Sequence, residues 1–256
     1  MTSNEDFRGR TALVTGGTSG IGRAIVRGLC ERGALVIVNS EDEHACRLAV
    51  SELEAGGGRG IAAPADLSDR AAVERLADEA WSAGNLAMLF LNAGISGTKR
   101  SGEPGYEEEV ARIFAINLHH ARILCDRLLP RMAERGRGSA VLTASLAAVR
   151  GNANLGTYSL TKAALVQLTR DMAVRWGPQQ IRVNAVAPGL IATGWEKAIL
   201  SDPEASAHRI RMTPLRRIGQ PDEVAAAALF LASDAASFIT GHVLLVDGGT
   251  SITDGN

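Results

Sequence analysis

Tyr158 and Lys162 stand four residues apart within a stretch, 156–176, whose pattern predicts one long helix. A single helical turn sets side chains at i and i+4 on the same face. A free phenol titrates near pH 10 and is a poor acid or base at neutrality. An ammonium beside it favours the phenolate and brings the hydroxyl toward a range useful for proton transfer. A YxxxK pair on its own is common, and a surface Tyr/Lys pair accounts for it equally well. A second feature is the run Thr15-Gly16-Gly17-Thr18-Ser19-Gly20-Ile21-Gly22. Its glycines follow a GxxxGxG spacing rather than GxGxxG, between an expected strand and an expected helix. Glycines permit a tight turn and let backbone approach a pyrophosphate, while the following helix points its free N–H groups at the anion. A plain glycine-rich β–α turn would look similar. Its place after the first strand favours the binding reading, because doubly wound folds hold dinucleotides there.

The elements that must position these residues alternate along the chain. Short apolar runs at 11–15, 35–39, 60–63, 88–91, 140–144, 182–187 and 243–246 read as buried strands. Helical spacing fills the intervals, at 21–32, 44–55, 70–83 and 110–133. Repeated β-then-α order predicts an α/β fold: one doubly wound, Rossmann-type domain over 1–256, with a mostly parallel sheet covered on both faces. The triple glycine at 56–58 reads as a helix end and loop rather than a domain boundary. With 27 basic and 28 acidic residues and a net charge of −1, the chain has no basic run suited to nucleic acid or anionic membranes. No apolar stretch reaches the roughly 20 residues of a membrane span. The polar start, 1–10, does not resemble a signal peptide, so the expected location is cytoplasmic. Cys30, Cys46 and Cys125 fit no metal or redox spacing and read as reduced structural thiols. The five histidines form no ligand pair, and no metal is expected.

Taken in order, further pieces join the first two: Asn92-Ala93-Gly94 after the fourth strand, Asn117 on the next helix, Ser145 after the fifth strand, and Pro188-Gly189 after the sixth. This ordered set, from Gly9 to Gly249, resembles the classical short-chain dehydrogenases/reductases. Ser145 precedes Tyr158 by thirteen residues, the family's usual interval. The resemblance implies an oxidoreductase that transfers a hydride between a nicotinamide cofactor and a carbonyl or secondary alcohol. It implies Tyr158 as proton donor and acceptor. Lys162 would lower the tyrosine pKa and hold the nicotinamide ribose. Ser145 would hydrogen-bond the substrate oxygen, and Asn117 would maintain a helix irregularity and a water-linked proton path to the lysine. Gly16, Thr18, Ser19, Gly20, Ile21 and Gly22 would form the pyrophosphate loop. Asp66 would contact the adenine with Leu67 beside it, and Asn92, Ala93 and Gly94 would line the adenine ribose. Pro188, Gly189, Ile191 and Thr193 would form the loop at the nicotinamide end. The family also implies a homotetramer or homodimer and a substrate lid within 190–215. The chain departs from the family's pattern at Ala87, where aspartate is usual, and at Leu91, where asparagine is frequent; both bear on the packing of the cofactor loops.

Other residues have plainer readings. Trp195 in the lid segment lines a pocket or simply anchors the lid. Asn152, Leu155, Ile95 and Met212 are pocket candidates by position. His119 and His120 read as structural or solvated. Glu107, Glu108 and Glu109 read as the acidic first turn of a helix. Asp247-Gly248-Gly249 reads as a turn after the last strand. The rival class is a dinucleotide-binding regulatory protein without catalysis, which would not need Ser145, Tyr158 and Lys162 together. An epimerase or dehydratase of the wider family would be longer. The cofactor is expected to be NAD, with NADP as the other possibility. The choice falls at Ser40 and Glu41, since Glu41 lies about 20 residues past the glycines, the spacing of an acid that accepts from a ribose 2′-hydroxyl. Three carboxylates, Glu41, Asp42 and Glu43, would repel a 2′-phosphate. Against this, Thr18, Ser19, Asn39 and Ser40 are small hydrogen-bonders, and Arg23 or Arg47 lies near enough in sequence to swing in.

Overall fold

The computed structural model describes residues 6–194 and 201–253. Among the described residues seven strands form one sheet, all neighbours parallel, in the order β3-β2-β1-β4-β5-β6-β7. They are β1 (Thr11–Thr15), β2 (Leu35–Asn39), β3 (Arg59–Ala62), β4 (Leu86–Leu91), β5 (Gly138–Thr143), β6 (Ile181–Pro188) and β7 (Val243–Val246). Strands β1, β2 and β7 match the expected bounds, and the others shift by one or two residues at an end. Such shifts are expected, because apolar pattern marks the middle of a strand better than its last hydrogen bond.

Alternation along the strands builds two cores. Leu13, Ile37, Leu89, Leu91, Ala140, Leu142 and Val183 point to one face. That face is covered by α3 (Arg70–Ser82), α5 (His120–Glu134) and α6 (Gly156–Trp176). Their neighbours in sequence, Ala12, Val14, Val36, Val38, Met88, Phe90 and Val141, point to the other. There α1 (Gly20–Glu31), α2 (Glu43–Ala55) and Pro221–Ala232 lie. The strand order reverses between β1 and β4, so the crevice at their carboxyl ends is the topological switch point, where open α/β sheets bind ligands.

The expected single helix over 110–133 is in fact three pieces. Helix α4 (Tyr106–Phe114) leads into a π-helical turn, Ala115–His119, and then into α5. Apolar periodicity does not register one extra residue in a turn, which is why the sequence reads as continuous. Glu107, Glu108 and Glu109 do form the first turn of α4. Gly56 caps α2, and Gly57 takes a φ of +81°, ending the helix as expected. Ala87 sits where the β1–β4 register slips, and Ala87 and Leu91 are both buried in the sheet. Among the described residues no helix is long and apolar enough to cross a membrane.

Candidate active site

The glycine loop is built by close approach. Gly16 takes a φ of +63°, and a Cβ there would lie 3.1 Å from Ala93 Cα. A Cβ on Gly22 would lie 2.0 Å from the Gly16 carbonyl oxygen and 2.7 Å from Asn92 Nδ2. Alanine at Gly22 would therefore collide with backbone. Gly20, at φ +50°, sets the start of α1 against Thr193. Asn92 ties the loop to the sheet: Nδ2 donates to the carbonyls of Thr15 and Gly16, each at 3.3 Å, and Oδ1 accepts from Thr143 Oγ1 at 3.2 Å. Ser19 stands at the N-cap of α1 without a side-chain cap bond, which leaves the first-turn N–H groups to an anion. Glycine curvature, close backbone approach and an uncapped helix start are what a dinucleotide pyrophosphate requires, and these residues fit one.

Asn117, Ser145, Tyr158 and Lys162 converge beside that loop. Lys162 is buried, and its Nζ donates to the Thr143 carbonyl at 2.7 Å. Burial pushes its pKa down to about 8. Nζ lies 5.6 Å from the centre of the Tyr158 ring. A Cβ on Gly94 would meet Nζ at 3.1 Å and Asn117 Oδ1 at 3.4 Å, so Gly94 is small because these two side chains crowd it. Asn117 is fully buried in the π turn. Its Oδ1 accepts from the Ile95 N–H at 2.7 Å. Its Nδ2 donates to the Ile95 carbonyl at 2.9 Å and to Thr161 Oγ1 at 3.1 Å. The extra residue of the π turn thus lets one side chain hold both the loop after β4 and helix α6. Ser145 follows β5, accepts from the Ala147 N–H at 3.1 Å and hydrogen-bonds the Tyr158 hydroxyl. The tyrosine shows a balance the motif alone does not convey. Burial pushes its pKa above the ordinary value, and the Ser145 hydroxyl pulls it back. In this geometry the pKa is therefore raised, where the resemblance implies a lowering by Lys162.

At the far end of the crevice the acidic run divides its labour. Asp42 caps α2 by accepting from the Ala45 N–H at 3.0 Å, and Glu43 pairs with Arg47 one turn on. These two are a helix start rather than a ligand site. Glu41 is exposed, and Arg112 of α4 reaches across to its carboxylate at 3.4 Å. The expectation of uncompensated carboxylates is corrected here: a guanidinium stands next to the one acid left over. Nothing in the sequence between 41 and 112 signals this contact, which depends on how α4 packs. Arg23 and Arg47, the cations named from sequence, are engaged with Glu52 and Glu43. Asp66 is exposed. It accepts from the Ser68 N–H and hydroxyl, which hold its pKa low with help from nearby Arg112. Leu67 beside it is buried, and Ser40 Oγ accepts from the Asp42 N–H at 3.3 Å.

Pro188 closes β6, and a Cβ on Gly189 would meet Asp247 Cα at 2.8 Å. Ile191 is buried and bridges to Gly219, which holds Thr193 near Gly20. Asp247 turns the chain after β7 by accepting from Gly249 and Ser251 N–H groups. Trp195 lies outside the described residues. His119 is exposed and stacks on Phe114, whereas His120 is buried.

Residues 16–251 match the family model described as enoyl-(acyl carrier protein) reductase. The chain is 36% identical over 252 residues to the 7alpha-hydroxysteroid dehydrogenase of Escherichia coli K12, covering 97% of this chain and 98% of that one. A solved 7alpha-hydroxysteroid dehydrogenase, complexed with NADH and 7-oxo glycochenodeoxycholic acid, superposes with a TM-score of 0.91 at 35% identity, covering 97% of each chain. A protein assigned as an NAD(P)-dependent gluconate 5-dehydrogenase from Beutenbergia cavernae, with bound NADP, superposes with a TM-score of 0.92 at 35% identity. That match covers 97% of this chain and 99% of that one.

Proposed function

The chain belongs to the short-chain dehydrogenase/reductase family, and from that premise we propose how its own residues run the reaction. It is an NAD(P)-dependent oxidoreductase acting on CH–OH groups. When bound, the nicotinamide supplies or accepts the hydride exchanged with a carbonyl or secondary alcohol carbon. Tyr158 is the general acid/base, taking the hydroxyl proton in oxidation and returning it in reduction. Ser145 hydrogen-bonds the substrate oxygen, where charge develops as the bond order changes. Lys162 has spent one donor on Thr143. Its two remaining N–H bonds serve the nicotinamide ribose, and its charge favours the phenolate. Asn117 keeps the π turn and, through Ile95 and Thr161, the spacing between the loop after β4 and α6.

The observation that carries this reading is the Tyr158–Ser145 hydrogen bond beside a buried lysine. The test is Tyr158→Phe, which removes one hydroxyl and little volume. Turnover of a panel of secondary alcohols and ketones, followed by reduced-cofactor absorbance, is expected to fall about 10²–10⁴-fold. Dinucleotide affinity by calorimetry is expected to stay within about threefold, less than the loss of one full hydrogen bond. A Phe variant that keeps most of the wild-type kcat overturns the assignment.

The partner is a small-molecule carbonyl or alcohol, bound in a single domain with a lid within 190–215, of which 195–200 lie outside the described residues. We assign a cytoplasmic home, which the free thiols of Cys30, Cys46 and Cys125 support. A homotetramer or homodimer is supported by exposed apolar side chains at Leu160 and Val174 on α6 and at Phe238 and Ile252 near β7. NAD is the preferred cofactor, with Glu41 accepting from the 2′-hydroxyl. Arg112 narrows the preference, because an exposed ion pair is weak and its cation is available to a 2′-phosphate.

A further inference from the structure

His120 opens α5, three residues after Asn117, and is 1% exposed. None of the roles above uses it. Its Nε2 lies 3.3 Å from Oγ1 of Thr15, itself fully buried at the end of β1. That hydroxyl oxygen already accepts from two backbone donors, the N–H of Asn92 at 3.0 Å and of Ala93 at 3.2 Å. A hydroxyl has two lone pairs and one proton. With both lone pairs taken, the Thr15 proton must be donated, and His120 Nε2 is placed to accept it. His120 is then the neutral tautomer with its proton on Nδ1. That nitrogen has no hydrogen-bond partner, and the Ile116 carbonyl lies near the ring. Burial opposes the imidazolium, and the nearby Lys162 ammonium opposes it further.

We propose that His120 is a positioning residue for the dinucleotide crevice. By accepting the Thr15 proton it fixes the hydroxyl so that both lone pairs hold the Asn92–Ala93 backbone. The same segment forms the wall that Gly16 approaches, at 3.1 Å from Ala93 Cα for a Cβ on the glycine. Rotation of the threonine hydroxyl would leave at least one of these part-buried N–H groups without its acceptor. The end of β4 would then drift from the end of β1 at the point where the crevice opens. The proposal rests on the reading that this crevice holds the nicotinamide dinucleotide.

The experiment compares His120→Leu, which fills the space without an acceptor, with His120→Gln, which restores one. NAD affinity is measured by calorimetry, and kcat and KM separately. The Leu variant is expected to bind NAD roughly 5- to 50-fold more weakly, the lower part of the range for a donor left unpaired, with the loss larger in the KM for NAD than in kcat. The Gln variant is expected to recover most of that affinity. In a Thr15→Val background, His120→Leu is expected to add little. A Leu variant that binds NAD as the wild type does, a Gln variant no better than Leu, or additive losses with Thr15→Val would each overturn the proposal. Should the Leu variant not fold, Thr15→Val alone decides, because unaltered NAD affinity there means the hydroxyl positions nothing. A wild-type protein that binds neither NAD nor NADP would instead refute the reading of the crevice.

Discussion

Replacing Lys162 with methionine keeps the buried bulk and removes the charge, so it isolates what the ammonium does for Tyr158. The cation lies 5.6 Å from the ring centre. Taking the ring-centre distance for the phenolate charge, at an effective dielectric of about 20 the cation is worth about 3 kcal/mol. Divided by 1.36 kcal/mol per tenfold step, that is about a hundredfold in the tyrosine's proton affinity. Because burial already pushes Tyr158 up, losing the cation leaves the phenolate rarer still. In alcohol oxidation the phenolate is the base, so the rising limb of the kcat/KM–pH curve is expected to move up by about 2 pH units. At a fixed pH below both midpoints the variant is then about a hundredfold slower from this cause alone. The assay runs at saturating dinucleotide, so that a weakened ribose contact does not masquerade as a proton effect. It is read below pH 8, where a lysine with a pKa of about 8 is still charged in the wild type. A limb that stays where it was would mean that Lys162 is an anchor for the ribose and has no electrostatic hold on the tyrosine.

The same substitution makes a stability prediction. An ordinary lysine titrates at 10.5 and this one at about 8, so between those values the unfolded chain holds more protons and stability rises with pH. Below pH 8 burying the ammonium costs about 3 kcal/mol. The urea-unfolding curves of wild type and Lys162→Met are therefore expected to converge or cross from pH 8 to 10, and parallel behaviour would show that the ammonium is not buried as described. Ser145→Ala is expected to lower kcat by roughly 10²-fold, the scale of one lost transition-state donor, while dinucleotide affinity holds; a loss confined to KM would make Ser145 a ground-state contact. Arg112→Ala is expected to raise the NAD-over-NADP ratio of kcat/KM by about tenfold, the value of one charge-assisted contact, and Glu41→Arg to reverse it. A ratio indifferent to both places the selector elsewhere.

What the sequence conveyed well is what depends on neighbours in the chain or on a fixed chain order. The parallel sheet follows from apolar runs separated by helical spacing, and three of its strands sit at their expected bounds. The convergence of Ser145, Tyr158, Lys162 and Asn117 follows from the order of strand ends in a doubly wound sheet. What it hid depends on side chains meeting across elements. The Glu41–Arg112 pair joins the loop after β2 to α4 across 71 residues, and a charge count sees only three adjacent acids. The π turn is one residue of overpacking in a helix, invisible to a periodicity that averages over several turns. His120 is the sharpest case. Read alone, two adjacent helical histidines are structural or solvated without a way to tell which, and His119 is exposed. One residue on, about 100° round the helix, His120 points into the core, onto a threonine whose lone pairs are already spent. Two adjacent residues of one type thus have opposite surroundings. His120 follows directly on the π turn that seats Asn117, so a change that regularised the helix would displace both side chains at once.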